Sequence, residues 1–244
     1  MFATHQTRLE GRFFAAIAPC SLLLAWGCAG GAHVGAHVGA HVGATPDVRQ
    51  IDAHTLRGAR SFLTGWPAQA GAGLIHVVVE IPAGDVQKWE VSKPDGALRW
   101  EMKAGKPRVI PFVGYPGNYG MVPRTLLPKS AGGDGDPLDV LVLGPPRPRG
   151  TVLKVRPIGV LRLLDRGEID DKIIAVDAEG SFSAFTDMPQ LQQQRPGVTR
   201  IVELFFGNYK GPGKLITKGF GGAEVALKMV ALSANAFERA HRKP

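Results

Sequence analysis

From Gly73 through the middle of the chain, apolar runs are short and β-branched, and proline or glycine closes almost every one. Leu74–Ile81 stops against Pro82, and residues 88–91, 140–143, 152–164 and 172–176 repeat the pattern. Runs of this length and composition suit strands, and the frequent Pro and Gly suit the turns between them. Helical periodicity comes late. Residues 199–209 place Ile201, Val202, Leu204 and Phe205 on one face, and residues 222–242 offer Ala226, Leu227, Val230, Leu232, Ala234 and Phe237 for burial. Many short strands followed by two helices predict an α+β fold, a small closed OB-like β-barrel with two C-terminal helices packed outside.

The region before Gly73 has a different texture. Arg8 and Arg12 supply a positive region before a short apolar stretch over residues 13–26 that reads as a secretory signal rather than a membrane span. A small residue followed by Cys28 resembles a bacterial lipoprotein cleavage site, although the bulky Trp26 departs from that pattern. A lipid anchor at Cys28 is one expectation and a signal peptide cut elsewhere is the other. Either predicts export to the periplasm or the cell envelope. Cys20 and Cys28 are the only cysteines, so a domain cut free before Cys28 relies on no disulfide. Three Gly-Ala-His-Val repeats follow, with His33, His37 and His41 four residues apart. On a helix they could share a metal; glycine at every fourth position argues for a flexible tether. The expected organisation is a signal peptide over 1–27, a tether and N-terminal extension over 28–72, and one folded domain over 73–244.

The net charge of +8 raises the question of an anionic partner. The basic residues are scattered singly, with no run of five and no aromatic-interleaved stripe, which argues against nucleic acid. A small polyanion accounts for local Lys and Arg.

The sharpest chemical feature is Gly133-Asp134-Gly135-Asp136-Pro137-Leu138-Asp139, with three carboxylates in six residues at the entry to an apolar strand. Such carboxylates repel one another unless solvent or a cation compensates. Alternation with Gly and Pro suits hard-cation ligands, with an exposed acidic turn as the plainer alternative. An EF-hand is excluded, because the sixth position from Asp134 is Asp139 and the twelfth is Pro145. A second acidic group, Asp165, Glu168, Asp170 and Asp171, precedes Lys172 at another strand end. No Ser-His-Asp or Cys-His set accompanies them. His76, Trp66, Trp89 and Trp100 read as structural, and Asp85 and Asp95 as turn residues.

Taken with Glu80-Ile81-Pro82, Lys88-Trp89-Glu90-Val91, Gly117-Asn118-Tyr119-Gly120, Arg156-Pro157-Ile158-Gly159-Val160 and Phe205-Phe206-Gly207-Asn208-Tyr209-Lys210, the acidic segment resembles the soluble family I inorganic pyrophosphatases. The resemblance runs over about residues 75–210, with six motifs in family order. It implies Mg2+-dependent hydrolysis of pyrophosphate, with several ions per site and Mn2+ or other divalent ions as substitutes. It implies that Asp134, Asp139 and Asp170 hold the first metal and that Asp139 bridges to a second. Asp165 and Asp170 match ligands of a metal arriving with substrate, and Glu90 a further metal position. Glu80 matches a carboxylate acting mainly through bound water, Asp136 the residue that helps deprotonate the nucleophilic water, and Tyr119 a site tyrosine. Lys88, Arg108, Lys172, Tyr209 and Lys210 match phosphate-binding groups, with Lys103 the alternative to Arg108 in a segment longer than in short bacterial members. The resemblance also implies a homo-oligomer, hexameric as is common in bacteria or dimeric as in eukaryotes.

Overall fold

The computed structural model describes residues 48–128, 132–133 and 135–242. The expected signal peptide, the Cys28 anchor, the His-Val tether and Asp134 lie outside the described residues. In chain order the strands are β1 (Arg49–Asp52), β2 (Thr55–Arg57), β3 (Gln69–Gly71), β4 (Leu74–Ile81), β5 (Trp89–Val91), β6 (Leu98–Trp100), β7 (Met102–Lys103), β8 (Lys106–Pro107), β9 (Asn118–Met121), β10 (Asp139–Leu143), β11 (Val152–Asp165), β12 (Glu168–Ile169), β13 (Lys172–Asp177) and β14 (Leu215–Gly222). The helices are α1 (Met188–Gln194), α2 (Pro196–Asn208) and α3 (Ala223–His241).

Five strands close on themselves. β4 pairs with β9, β9 with β10, β10 with β13, β13 with β11, and β11 returns to β4 through Val152–Val155 against Ile75–Val78. This is the expected small barrel. One 14-residue strand serves two walls because its pairing with β13 slips between Pro157 and Gly159. A bulge bends a strand and tolerates a proline that could not sit in a regular ladder. β10 and β13 run parallel, both faces covered, which explains their unbroken apolar runs.

Alternate residues feed two cores. Val140, Val142, Ile173 and Ala175 pack with Ala226 and Val230 of α3. Leu141, Leu143, Ile174 and Val176 pack with Val202, Phe205 and Phe206 of α2. A third cluster, Phe62, Val78, Trp89, Leu98 and Met121, lies beneath the small sheet β1-β2-β6-β5. The stretch before Gly73 thus contributes strands of its own: β1 and β2 extend that sheet, and β3 pairs with β4.

Two features depart from the simple order of strands followed by two helices. β14 stands between α2 and α3 and pairs with β11 from Gly159 to Asp165. A short extra helix, α1, begins at Asp187, whose side chain accepts from the backbone N–H of Met188 and Ala223. The structural residues behave as expected. Trp89 stacks on Trp100 at 5.6 Å, His76 Nδ1 meets the Pro67 carbonyl at 2.8 Å, and Asp85 accepts from the backbone of Val86 and Gln87.

Gly120 sits where β9 crosses β4 so closely that a β-carbon would overlap the Val78 carbonyl oxygen. Backbone cannot yield there as a side chain can. Gly120→Ala is therefore expected to destabilise the domain by about 3 kcal/mol, measured as a lowered urea midpoint with unchanged slope.

Candidate active site

The parallel register of β10 and β13 sets Val140 beside Ile173, so Asp139 and Lys172 begin neighbouring strands. Asp170 reaches the same point because its N–H bonds the Leu163 carbonyl at 2.9 Å, closing the β11–β13 connection. Lys172 is 2% exposed, and its ammonium donates to Asp139 Oδ2 at 2.6 Å and to Asp170 Oδ1 at 2.5 Å. Lys210 donates to Asp165 Oδ2 at 2.7 Å and lies 3.6 Å from Asp170 Oδ2. Two lysines thus lace three carboxylates drawn from both acidic turns.

A cavity of about 580 Å3 opens over this lattice. Its walls bring together Glu80, Lys88, Glu90, Arg108, Tyr119, Asp136, Asp139, Asp170, Lys172, Tyr209 and Lys210. Asp165 is joined to them through Lys210 but faces an adjoining cavity. Lys103 also lies in that adjoining cavity, whereas Arg108 lines both. Tyr209 follows directly on α2, stacked on Phe205 at 5.3 Å, which delivers Lys210 to the rim.

Three residues of the site carry no mark in the sequence. Lys93 forms an ion pair with Asp136. Glu101 clamps the Arg108 guanidinium with both oxygens, at 2.8 and 2.7 Å. Tyr115 is buried against Tyr119 and Tyr209, its ring 5.0 and 6.1 Å from theirs. The first two are single charges in an unpatterned hairpin segment, legible only once the chain is folded.

The electrostatics follow from burial among opposite charges. Burial alone would raise the Asp139 carboxyl, but Lys172 and Lys88 hold it below the usual carboxylate range. Burial would likewise lower Lys172 and Lys88, yet their carboxylate neighbours keep both firmly protonated. The Lys210 hydrogen bond lowers Asp165. Glu80 differs: burial dominates over the pull of Lys88 and the bond from the Val91 N–H, pushing it up to about 8.

Among the described residues, no three acidic, histidine or cysteine side chains converge on an ion-sized point; the lysines stand between them. The donor chemistry nonetheless fits a hard divalent cation. Oδ1 of Asp165 and Oδ2 of Asp170 are buried and accept no hydrogen bond, which is costly for a carboxylate oxygen unless a cation joins it.

Glu80 ties pH to stability. In the folded protein it keeps its proton to about pH 8, whereas in the unfolded chain it ionises near 4.5. The unfolded state therefore binds fewer protons between those values, and stability falls as pH rises. In metal-free protein this loss is on the order of 3–5 kcal/mol. Glu80→Gln, which retains an acceptor for the Val91 N–H, is expected to flatten that fall in urea unfolding followed from about pH 5 to about pH 9.

The chain is similar in sequence and fold to known proteins. The inorganic pyrophosphatase family model matches residues 77–238. The chain is 38% identical over 177 residues to soluble inorganic pyrophosphatase 2 of Chlamydomonas reinhardtii, covering 70% of this chain and 85% of that protein. Among solved structures, the inorganic pyrophosphatase of Helicobacter pylori superposes with a TM-score of 0.61 at 31% identity, covering 71% of this chain and 98% of that one. That of Neisseria gonorrhoeae gives 0.60 at 35%, covering 72% and 96%. With the same barrel, and a match across two thirds of its length, the chain belongs to the inorganic pyrophosphatase family.

Proposed function

We propose that this protein hydrolyses inorganic pyrophosphate to two phosphates by direct attack of water, with Mg2+ as its divalent cofactor. The observation that carries this reading is the lysine-laced carboxylate cluster on the floor of a cavity whose rim is Arg108, Tyr209 and Lys210. Asp134, Asp139, Asp165, Asp170 and Glu90 would hold the cations, and Mn2+ or another divalent ion could stand in. When bound, such ions polarise phosphate oxygens and lower the pKa of water.

The chain's own residues do the rest. Pyrophosphate carries several negative charges that repel a nucleophile, so cations must gather around it. Lys88, 2.8 Å from Glu90, and Arg108, braced by Glu101, are pre-positioned to take phosphate oxygens. Lys172, Tyr209 and Lys210 supply further donors at fixed places. Substrate competes with the carboxylates for Lys172 and Lys210, and ions on the carboxylates would free those ammonium groups for phosphate. Asp136, at the cavity's edge and paired with Lys93, receives the proton of the attacking water. Tyr119, buried under Lys88 with its ring 5.2 Å from Nζ, holds the floor rigid. Glu80 acts through water at the back of the cavity.

Asp136→Asn keeps the shape of that side chain and removes its basicity. Turnover of pyrophosphate is expected to fall by about 100-fold or more, while the protein's thermal shift on adding Mg2+ is kept. Unchanged turnover would refute the assigned role. In the same reading, the leader carries the enzyme out of the cytoplasm and Cys28 takes the lipid, placing phosphate recovery at the cell envelope, with subunits assembled as a homo-oligomer. Palmitate labelling of the intact chain, lost on Cys28→Ala, is the expected result; cytosolic fractionation would dismiss it.

A further inference from the structure

Beside the catalytic cavity lies a second one of about 750 Å3, and the two share Arg108, Tyr209 and Lys210 as a common wall. Beyond that wall the charged lining is Lys103, Arg166 and Lys214 against Asp165, and Asp165 is already held by Lys210. Each cation arrives on a separate turn. Lys103 ends β7 at a hairpin turned by Ala104 and Gly105, whose φ angles are 50° and 75°. Arg166, with φ 52°, turns β11 into β12 together with Gly167. Lys214 stands immediately before β14, and its carbonyl accepts from the Arg166 N–H at 3.4 Å.

Among the described residues none of these three cations makes an ion pair, whereas Arg108 and Lys210 both do. Cations gathered around one concavity focus a positive field and recruit an anion. The cavity is contiguous with the pyrophosphate site, so the fitting anion is one that extends out of that site. It must also stay charged along its length, because three separate turns each bring a cation to the lining. A nucleoside would place a neutral sugar and base there instead.

We infer that the second cavity receives the tail of a linear inorganic polyphosphate, making tripolyphosphate and longer chains substrates as well. This rests on the pyrophosphatase reading and extends it. The terminal two phosphates occupy the catalytic cavity and the remainder lies among Lys103, Arg166 and Lys214. The water oxygen bonds to the terminal phosphorus as the bridging P–O bond breaks. The electron pair of that bond leaves with the shortened chain, and the protons of the water pass to the products and solvent. No other reactant is needed.

The test compares phosphate release from pyrophosphate, tripolyphosphate and ATP with Mg2+, using the full chain and the triple variant Lys103→Gln, Arg166→Asn, Lys214→Gln. Asn suits the positive φ at residue 166. The intact protein is expected to cleave tripolyphosphate faster than ATP. The triple variant should lose about tenfold in kcat/KM on tripolyphosphate and less than about twofold on pyrophosphate. Should the triple variant fold poorly by circular dichroism, Lys103→Gln alone, on its exposed hairpin, should lose about two- to threefold on tripolyphosphate only. Tripolyphosphate left intact while pyrophosphate is hydrolysed, ATP preferred to tripolyphosphate, or equal losses on both phosphates would each overturn the inference and leave the pyrophosphatase reading standing. No release from pyrophosphate would overturn both.

Discussion

The buried ammonium of Lys172 between Asp139 and Asp170 is the interaction on which the site depends. A cation with 2% exposure is tolerable only because two carboxylates meet it at hydrogen-bond distance. Those carboxylates are in turn tolerable at close quarters only because the lysine stands between them. The arrangement exists because β10 and β13 are parallel and in register, which starts both strands at the same level. One sheet pairing thus fixes a base, an acid and a charge balance together.

This lattice separates two tasks that a carboxylate cluster alone would confuse. A cluster of bare carboxylates would distort the fold whenever its cations left. With Lys172 and Lys210 in place, much of that negative charge is met without metal, and both ammonium groups already stand at the cavity. The same economy recurs at Arg108, whose planar guanidinium is oriented by Glu101 before any substrate arrives. The aromatic set Tyr115, Tyr119, Phe205 and Tyr209 packs ring against ring beside it.

Legibility in the sequence followed the strength of each local pattern. β4, closed by Pro82 and rich in Val and Ile, reads directly from the chain with its observed bounds, and β10, β11 and β13 read to within a residue. β9 was hidden because Asn118-Tyr119-Gly120-Met121 owes its burial to neighbours rather than to composition. β14 was hidden because its glycines and lysine disguise a strand that alternates in burial only near its start. α1 is about two Gln-rich turns, too short to declare a period. The charged residues that line the cavity could be picked out beforehand because they fall in short, chemically distinctive motifs along the chain. Lys93 and Glu101 were not, because each acquires its partner only through tertiary folding.

The position of β14 has a consequence for how the chain comes to be folded. Along one edge β11 meets first β4, almost eighty residues earlier, and then β14, some fifty to sixty residues later, with β13 on its other edge. No early segment can complete its own wall, and the strand that covers the Asp165 end of β11 is among the last to leave the ribosome. Folding of such a chain is a late, collective event, with its strand edges open until then.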